Sequence, residues 1–182
     1  MDNPVLHPGE NKHDDVILVD EHDTQIGTEA KMPAHFSGKL HRAFSVFIFH
    51  PDGRIMLQQR ALSKYHSGGL WTNTCCSHPR PGEDVAAAAH RRLHEEMGFD
   101  CGLKHRFAFI YKAQLDRGLT EHEYDHVFSG HFDGAPEINS HEAASWRWAE
   151  PVDVDREMTS HPDNYTVWFR IAWRELRSRS KQ

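Results

Sequence analysis

The tripeptide Pro51-Asp52-Gly53 does most to constrain the fold, because it separates two apolar runs, residues 43–49 and 54–60. Proline presets one turn corner and glycine supplies a positive φ, so the pattern predicts a β-hairpin and commits the middle of the chain to sheet. Residues 15–20, an apolar run flanked by acids, predict an earlier strand, and residues 23–28 can pair back onto it through Glu21-His22-Asp23. Further strands are expected over 107–112, 121–132 and 145–149, with Asp116-Arg117-Gly118 and Asp133-Gly134-Ala135-Pro136 as turns. An alanine-rich run behind Glu83 and Asp84 predicts a helix that stops at Gly98, and residues 164–178 predict a final one. Residues 31–40, with Pro, Gly and a histidine, read as a connection, and residues 1–14 as a polar, flexible lead-in. Strands and helices mix without regular alternation, which implies an α+β fold. The expected form is an α/β/α sandwich, a mixed sheet flanked by helices, in a single domain over 15–182.

The 182 residues carry a formal charge of -6, which gives no general reason to expect nucleic acid as a partner. No run is long enough for a membrane span. Two of the three cysteines are adjacent, which excludes a disulfide framework and points to a reducing cytoplasm. The polar ends leave a monomer as the simplest expectation.

Three groups of residues could carry chemistry. In an extended Thr72-Asn73-Thr74-Cys75-Cys76-Ser77-His78-Pro79, Cys76 and His78 share a face while Cys75 and Ser77 point away. A thiol and an imidazole can ligate a metal or move protons, and both are equally at home as a buried apolar group and a hydrogen-bonded ring. Glu121-His122-Glu123 places two carboxylates on one face of a strand. With His35, His41 and His78 they form a donor set suited to zinc, manganese or iron. Glu95 and Glu96 end the alanine-rich helix, where carboxylates oppose the helix dipole and invite a cation such as magnesium.

The helical segment resembles the Nudix box. Glu83, Arg91, Leu93, Glu95, Glu96, Gly98 and Phe99 match at the family's spacing. Ser77 stands where the opening Gly would be, and Arg92 replaces a Glu that usually helps hold the metals of Nudix hydrolases. The fold is therefore expected to be Nudix-like, with hydrolysis disfavoured. From about residue 16 to 173 the chain resembles the type I isopentenyl-diphosphate isomerases, most specifically at His41-Arg42-Ala43-Phe44-Ser45, Gln59-Arg60-Ala61, 72–79, Tyr111-Lys112-Ala113, Glu121-His122-Glu123 and Trp168.

That resemblance implies an enzyme that interconverts isopentenyl and dimethylallyl diphosphate by protonation and deprotonation through a tertiary carbocation, without a redox cofactor. It implies that His35, His41, His78, Glu121 and Glu123 hold manganese or zinc. The connection from His35 to His41 is short for the family. Glu96 and the main-chain carbonyl of Cys76 would hold a diphosphate-bound magnesium. Glu123, helped by Tyr111, and Cys76, its thiol pKa expected to be depressed, would transfer the protons, with roles that exchange with direction. Trp168 would face the cation. Lys31, Arg60, Lys64 and Arg92 would grip the diphosphate, with Ser77 adding a contact. A Nudix hydrolase would instead release phosphate and have no need of Cys76. A metal- or diphosphate-binding module would show no proton exchange.

Overall fold

The computed structural model describes residues 15–179, so the lead-in expected over 1–14 lies outside the described residues. The chain runs β1 (Asp15–Val19), β2 (Gln25–Ala30), α1 (Lys31–Ser37), β3 (His41–Phe49), β4 (Ile55–Arg60), β5 (Trp71–Thr72), β6 (Cys75–Ser77) and α2 (Val85–Met97). It continues through β7 (Leu103–Gln114), β8 (Thr120–His131), β9 (Ala143–Ala149), α3 (Pro151–Ser160) and α4 (Val167–Arg179).

The organising strand is β3. One of its edges pairs in parallel with β8 over its whole length, from His41↔Glu123 to Phe49↔His131. Its other edge is shared: β1 meets it at His41, β6 at Phe44, Ser45 and Val46, and β4 only at Phe49. The 51–53 turn forms, with His50 N donating to Arg54 O at 2.8 Å and Gly53 at φ 101°. Yet the hairpin expected there closes with a single residue pair, Phe49↔Ile55, before its strands part. Beyond that pair β4 takes β9 on one edge and β5 on the other.

Residues 73–74 fill the fork. Thr74 Oγ1 accepts from Ile48 N at 3.0 Å and donates to Met56 O at 2.8 Å. Asn73 Nδ2 donates to Val46 O at 3.2 Å. These buried side chains satisfy backbone groups that parting strands would leave without partners.

Alternation along β3 and β4 builds two cores, one on each face. Phe44, Val46, Ile48 and Met56 face α2, packing on Ala88, Ala89, Leu93 and Met97. Phe47, Ile55 and Leu57 face α3 and α4, packing on Val154, Met158, Phe169 and Trp173. The arrangement is the expected α/β/α sandwich around a mixed sheet.

Helix α2 starts where Asp84 accepts from the backbone N–H of Ala86 and Ala87, a cap worth about 1 kcal/mol, and it ends at Gly98 in the left-handed region. Two helices depart from expectation. Residues 31–37, read as a connection, form α1, because Pro33 falls in the first turn, where a missing N–H costs nothing, and Gly38 at φ 63° ends it. Helix α3 was not expected at all. Pro151 opens it at a position proline favours, and Val154 and Met158, four residues apart, bury its inner face. No described helix is long and apolar enough to cross a membrane.

Candidate active site

An open cavity lies beside β3, β4 and β6, with Phe44, Gln58, Arg60 and Cys76 among its walls. Twelve of the fourteen residues singled out in the sequence line it: Lys31, His35, Arg60, Lys64, Cys76, Ser77, His78, Arg92, Glu96, Glu121, Glu123 and Trp168. The other two, His41 and Tyr111, are buried and each contacts Glu123.

Three imidazoles and a carboxylate converge at one end. His35, His41, His78 and Glu123 each offer a ligand atom, all within 4.8 Å of one another, and the ring centroids lie 4.8 to 5.5 Å apart. Secondary structure aims them. His35 Nδ1 donates to Lys31 O, one helical turn back, at 2.7 Å, and His41 Nδ1 donates to Lys39 O at 2.8 Å. Each bond leaves Nε2 as the ring's lone pair, and both Nε2 atoms are buried with no hydrogen-bond partner. Orphaned nitrogens next to a carboxylate fit a divalent metal. Burial, then the neighbouring imidazoles, pushes His35 down to about 2. Burial lowers His78 to about 4 against its bond to Glu123, so these rings are neutral, as a metal requires. Glu121, expected as a fifth ligand, is not in this tight group.

Glu121 and Glu123 instead share a phenol. Tyr111 Oη lies 2.6 Å from Glu123 Oε2 and 3.0 Å from Glu121 Oε2. Burial and the charge of Glu123 hold Glu121 well above the carboxylate range. Burial works the same way on Glu123, but the neighbouring imidazoles of His41 and His78 outweigh it and hold that group low. The Tyr111 hydroxyl thus donates toward both carboxylates, with the shorter contact to Glu123.

Cys76 and Cys75 face opposite cores, as strand alternation predicts. The expected depression of the Cys76 thiol is not found: burial drives it upward, and the Arg60 charge only partly opposes this. The thiol rests protonated.

The other end of the cavity is cationic. Arg60 lies over the Trp168 ring, 5.0 Å from its centroid, and Lys31 lies 5.3 Å from that of Tyr65. Arg92 bonds to Glu95 and Glu96, both at 2.7 Å, and to Glu142 at 3.1 Å, and Lys64 pairs with the other oxygen of Glu142. Burial opposes the Arg92 charge, but Glu96 and Glu142 hold its pKa above the ordinary value. Glu96 Oε2 also accepts from Gln58 at 3.0 Å.

Sequence reasoning missed Glu142 and His66, both of which line the cavity. His66 packs edge-on to Trp168 at 5.5 Å, and burial, then Arg60, lowers it to about 2. Neither residue belongs to a motif or a spacing, so only the folded chain reveals them.

Residues 39–169 match the NUDIX domain family. Solved structures agree on the fold. A Deinococcus radiodurans protein aligns with TM-score 0.69 at 16% identity, covering 81% of this chain and 90% of its own. The MutT protein of Methanosarcina mazei aligns with TM-score 0.64 at 14% identity, covering 79% and 96%. Within that class the similarity narrows. Isopentenyl-diphosphate Delta-isomerase 2 of Aromatoleum aromaticum is 54% identical over 156 residues, 86% of this chain and 82% of that one. Isopentenyl-diphosphate Delta-isomerase of Serratia proteamaculans is 51% identical over 161 residues, 88% and 90% of the two. The chain belongs to the isopentenyl-diphosphate Delta-isomerase family of NUDIX-domain proteins.

Proposed function

We propose that this protein isomerises isopentenyl diphosphate to dimethylallyl diphosphate for isoprenoid biosynthesis, with a divalent metal as cofactor. The observation that carries this reading is the union, in one cavity, of proton-transfer groups beside an aromatic wall with a set of four cations. The names of the relatives supply the substrate.

The diphosphate lies against Lys31, Arg60, Lys64 and Arg92, whose guanidinium forks match phosphate oxygens, with Ser77 beside them. Glu96 and the main-chain carbonyl of Cys76 would hold magnesium on that diphosphate. His35, His41, His78 and Glu123 would hold zinc or manganese, which supplies positive charge that orients the Glu123 carboxylate. The hydrocarbon end then meets Cys76, Glu123 and Trp168. Glu123 and Cys76 are the two proton-transfer groups. One protonates the terminal alkene carbon, the other takes a proton from the adjacent methylene, and the roles exchange with direction. Tyr111 helps Glu123 by hydrogen-bonding it together with Glu121. The Trp168 face stabilises the tertiary cation by roughly 0.5 to 2 kcal/mol. A monomer in the reducing cytosol completes the reading, with all three cysteines free.

Hydrolysis is the weaker reading. Arg92 occupies a carboxylate's place in the Nudix box and neutralises Glu95 and Glu96. The test is incubation with isopentenyl diphosphate and magnesium in deuterated water, followed by NMR with phosphate measured alongside. Dimethylallyl product carrying deuterium is expected. Phosphate release without isomerisation would transfer the protein to the hydrolases, and neither signal would leave a binding module.

A further inference from the structure

Glu142 stands among the cations that the proposed function assigns to the diphosphate. Its backbone is fixed on two sides. Glu142 N donates to Asn139 O at 2.9 Å, and Asn139 N in turn donates to Glu96 O at 2.9 Å, seating the loop on the end of α2. Glu142 O accepts from Ala61 N at 2.9 Å, on the loop that carries Lys64. The side chain, mostly buried, thus enters the cavity between two basic groups held by different elements.

The donors it occupies are those a phosphate needs. Arg92 Nη2 has two hydrogens, and both are used, one by Glu96 Oε1 at 2.7 Å and one by Glu142 Oε1 at 3.1 Å. Lys64 Nζ donates to Glu142 Oε2. A diphosphate oxygen entering between Lys64 and Arg92 would therefore compete with this carboxylate for the same hydrogens. Without the carboxylate, two cations would face each other across a poorly solvated space, which costs free energy.

We propose that Glu142 is an internal counter-ion of the diphosphate subsite, a positioning residue that holds Lys64 and Arg92 together in the free protein and yields them to the phosphate oxygens. The inference rests on the diphosphate reading above. It predicts an unusual combination. Removing the charge of Glu142 weakens the free protein and strengthens its hold on a polyanion.

The experiment is calorimetric titration of inorganic pyrophosphate, at fixed magnesium, into the full-length protein and its Glu142→Gln variant, with thermal melts of each alone and with pyrophosphate. Expected for the variant are binding about tenfold tighter, a lower melting temperature alone, and a larger rise on adding pyrophosphate. Equal or weaker binding by the variant overturns the proposal, and a lowered melting temperature with unchanged affinity would mark Glu142 as merely structural. Glu142→Asp keeps the charge but withdraws it by one methylene, so it serves if the glutamine variant fails to fold, with an affinity above wild type as the expected result. Wild-type protein that binds no pyrophosphate would overturn the diphosphate subsite itself, a failure distinct from the others.

Discussion

His78 Nε2 lies 3.0 Å from Glu123 Oε1, so β6 and β8 are tied together across β3, the strand that separates them. One imidazole and one carboxylate from opposite sides of that strand face a common point, which His35 and His41 complete. The metal-type cluster is thus a cross-strand device, and each member depends on a different piece of the sheet or on α1.

Removal of metal should loosen the whole fold. Chelation of the purified protein is expected to lower its melting temperature, and zinc or manganese should restore it. An ion at a hundredfold excess over its Kd adds about 2.7 kcal/mol to the folded state. His41→Ala is expected to lose the bound ion by elemental analysis, because its Nε2 has no other use. Unchanged metal content in that variant would sink the ligand assignment.

Cys76→Ala and Glu123→Gln should each reduce isomerisation by about a hundredfold or more, since each removes a group that moves a proton. Circular dichroism of both should match wild type. Near-normal turnover by either purified variant would remove that residue from the mechanism.

Acid should destabilise the metal-free protein early. His35 and His66 are lowered to about 2 and His78 to about 4, from an ordinary 6.5, in each case chiefly by burial. The unfolded chain therefore binds protons below pH 6.5 that the folded one refuses. The stabilisation these rings confer is complete above pH 6.5 and is lost as pH falls toward 4 and below. Urea titrations should show stability falling over that window, and His66→Gln should flatten the slope without touching the metal cluster.

Gly98→Ala should cost more than about 1 kcal/mol in a urea titration. Gly98 has φ 74°, and an added Cβ would lie 2.4 Å from Glu137 O, a backbone atom that cannot swing away. The displaced segment leads to Asn139 and Glu142, so pyrophosphate affinity should change with stability. A neutral substitution would show that this loop is slack.

The legible parts of the chain were those with a period or a motif. Apolar runs on either side of Pro51-Asp52-Gly53 exposed the central strands, an alanine-rich run ending at Gly98 exposed α2, and the spacing of Glu83, Arg91 and Glu95 exposed the family. Helix α1 was not legible, since Pro33 and a lone polar histidine disguise a helix whose purpose is to aim His35. Burial is also invisible in sequence, which is why the Cys76 thiol was expected to be acidic when its surroundings make it the reverse. Asn73 and Thr74 read as part of a reactive stretch, yet their side chains mend the backbone of a split hairpin. The splitting itself depends on β6 and β5 taking the facing edges of β3 and β4, a competition with a segment outside the hairpin that no local pattern records.

The parallel pairing of β3 with β8 also sets a timetable. Ser45 and Asp125, neighbours in space, are 80 positions apart in the chain, so this contact closes a long loop, and such closures come late in folding. A chain emerging from the ribosome exposes three imidazoles well before β8 arrives with Glu123, and a partial set of ligands holds an ion only weakly. An ion held by His35, His41, His78 and Glu123 would then be captured only after the sheet has closed, as a seal on finished molecules that incomplete ones would not receive.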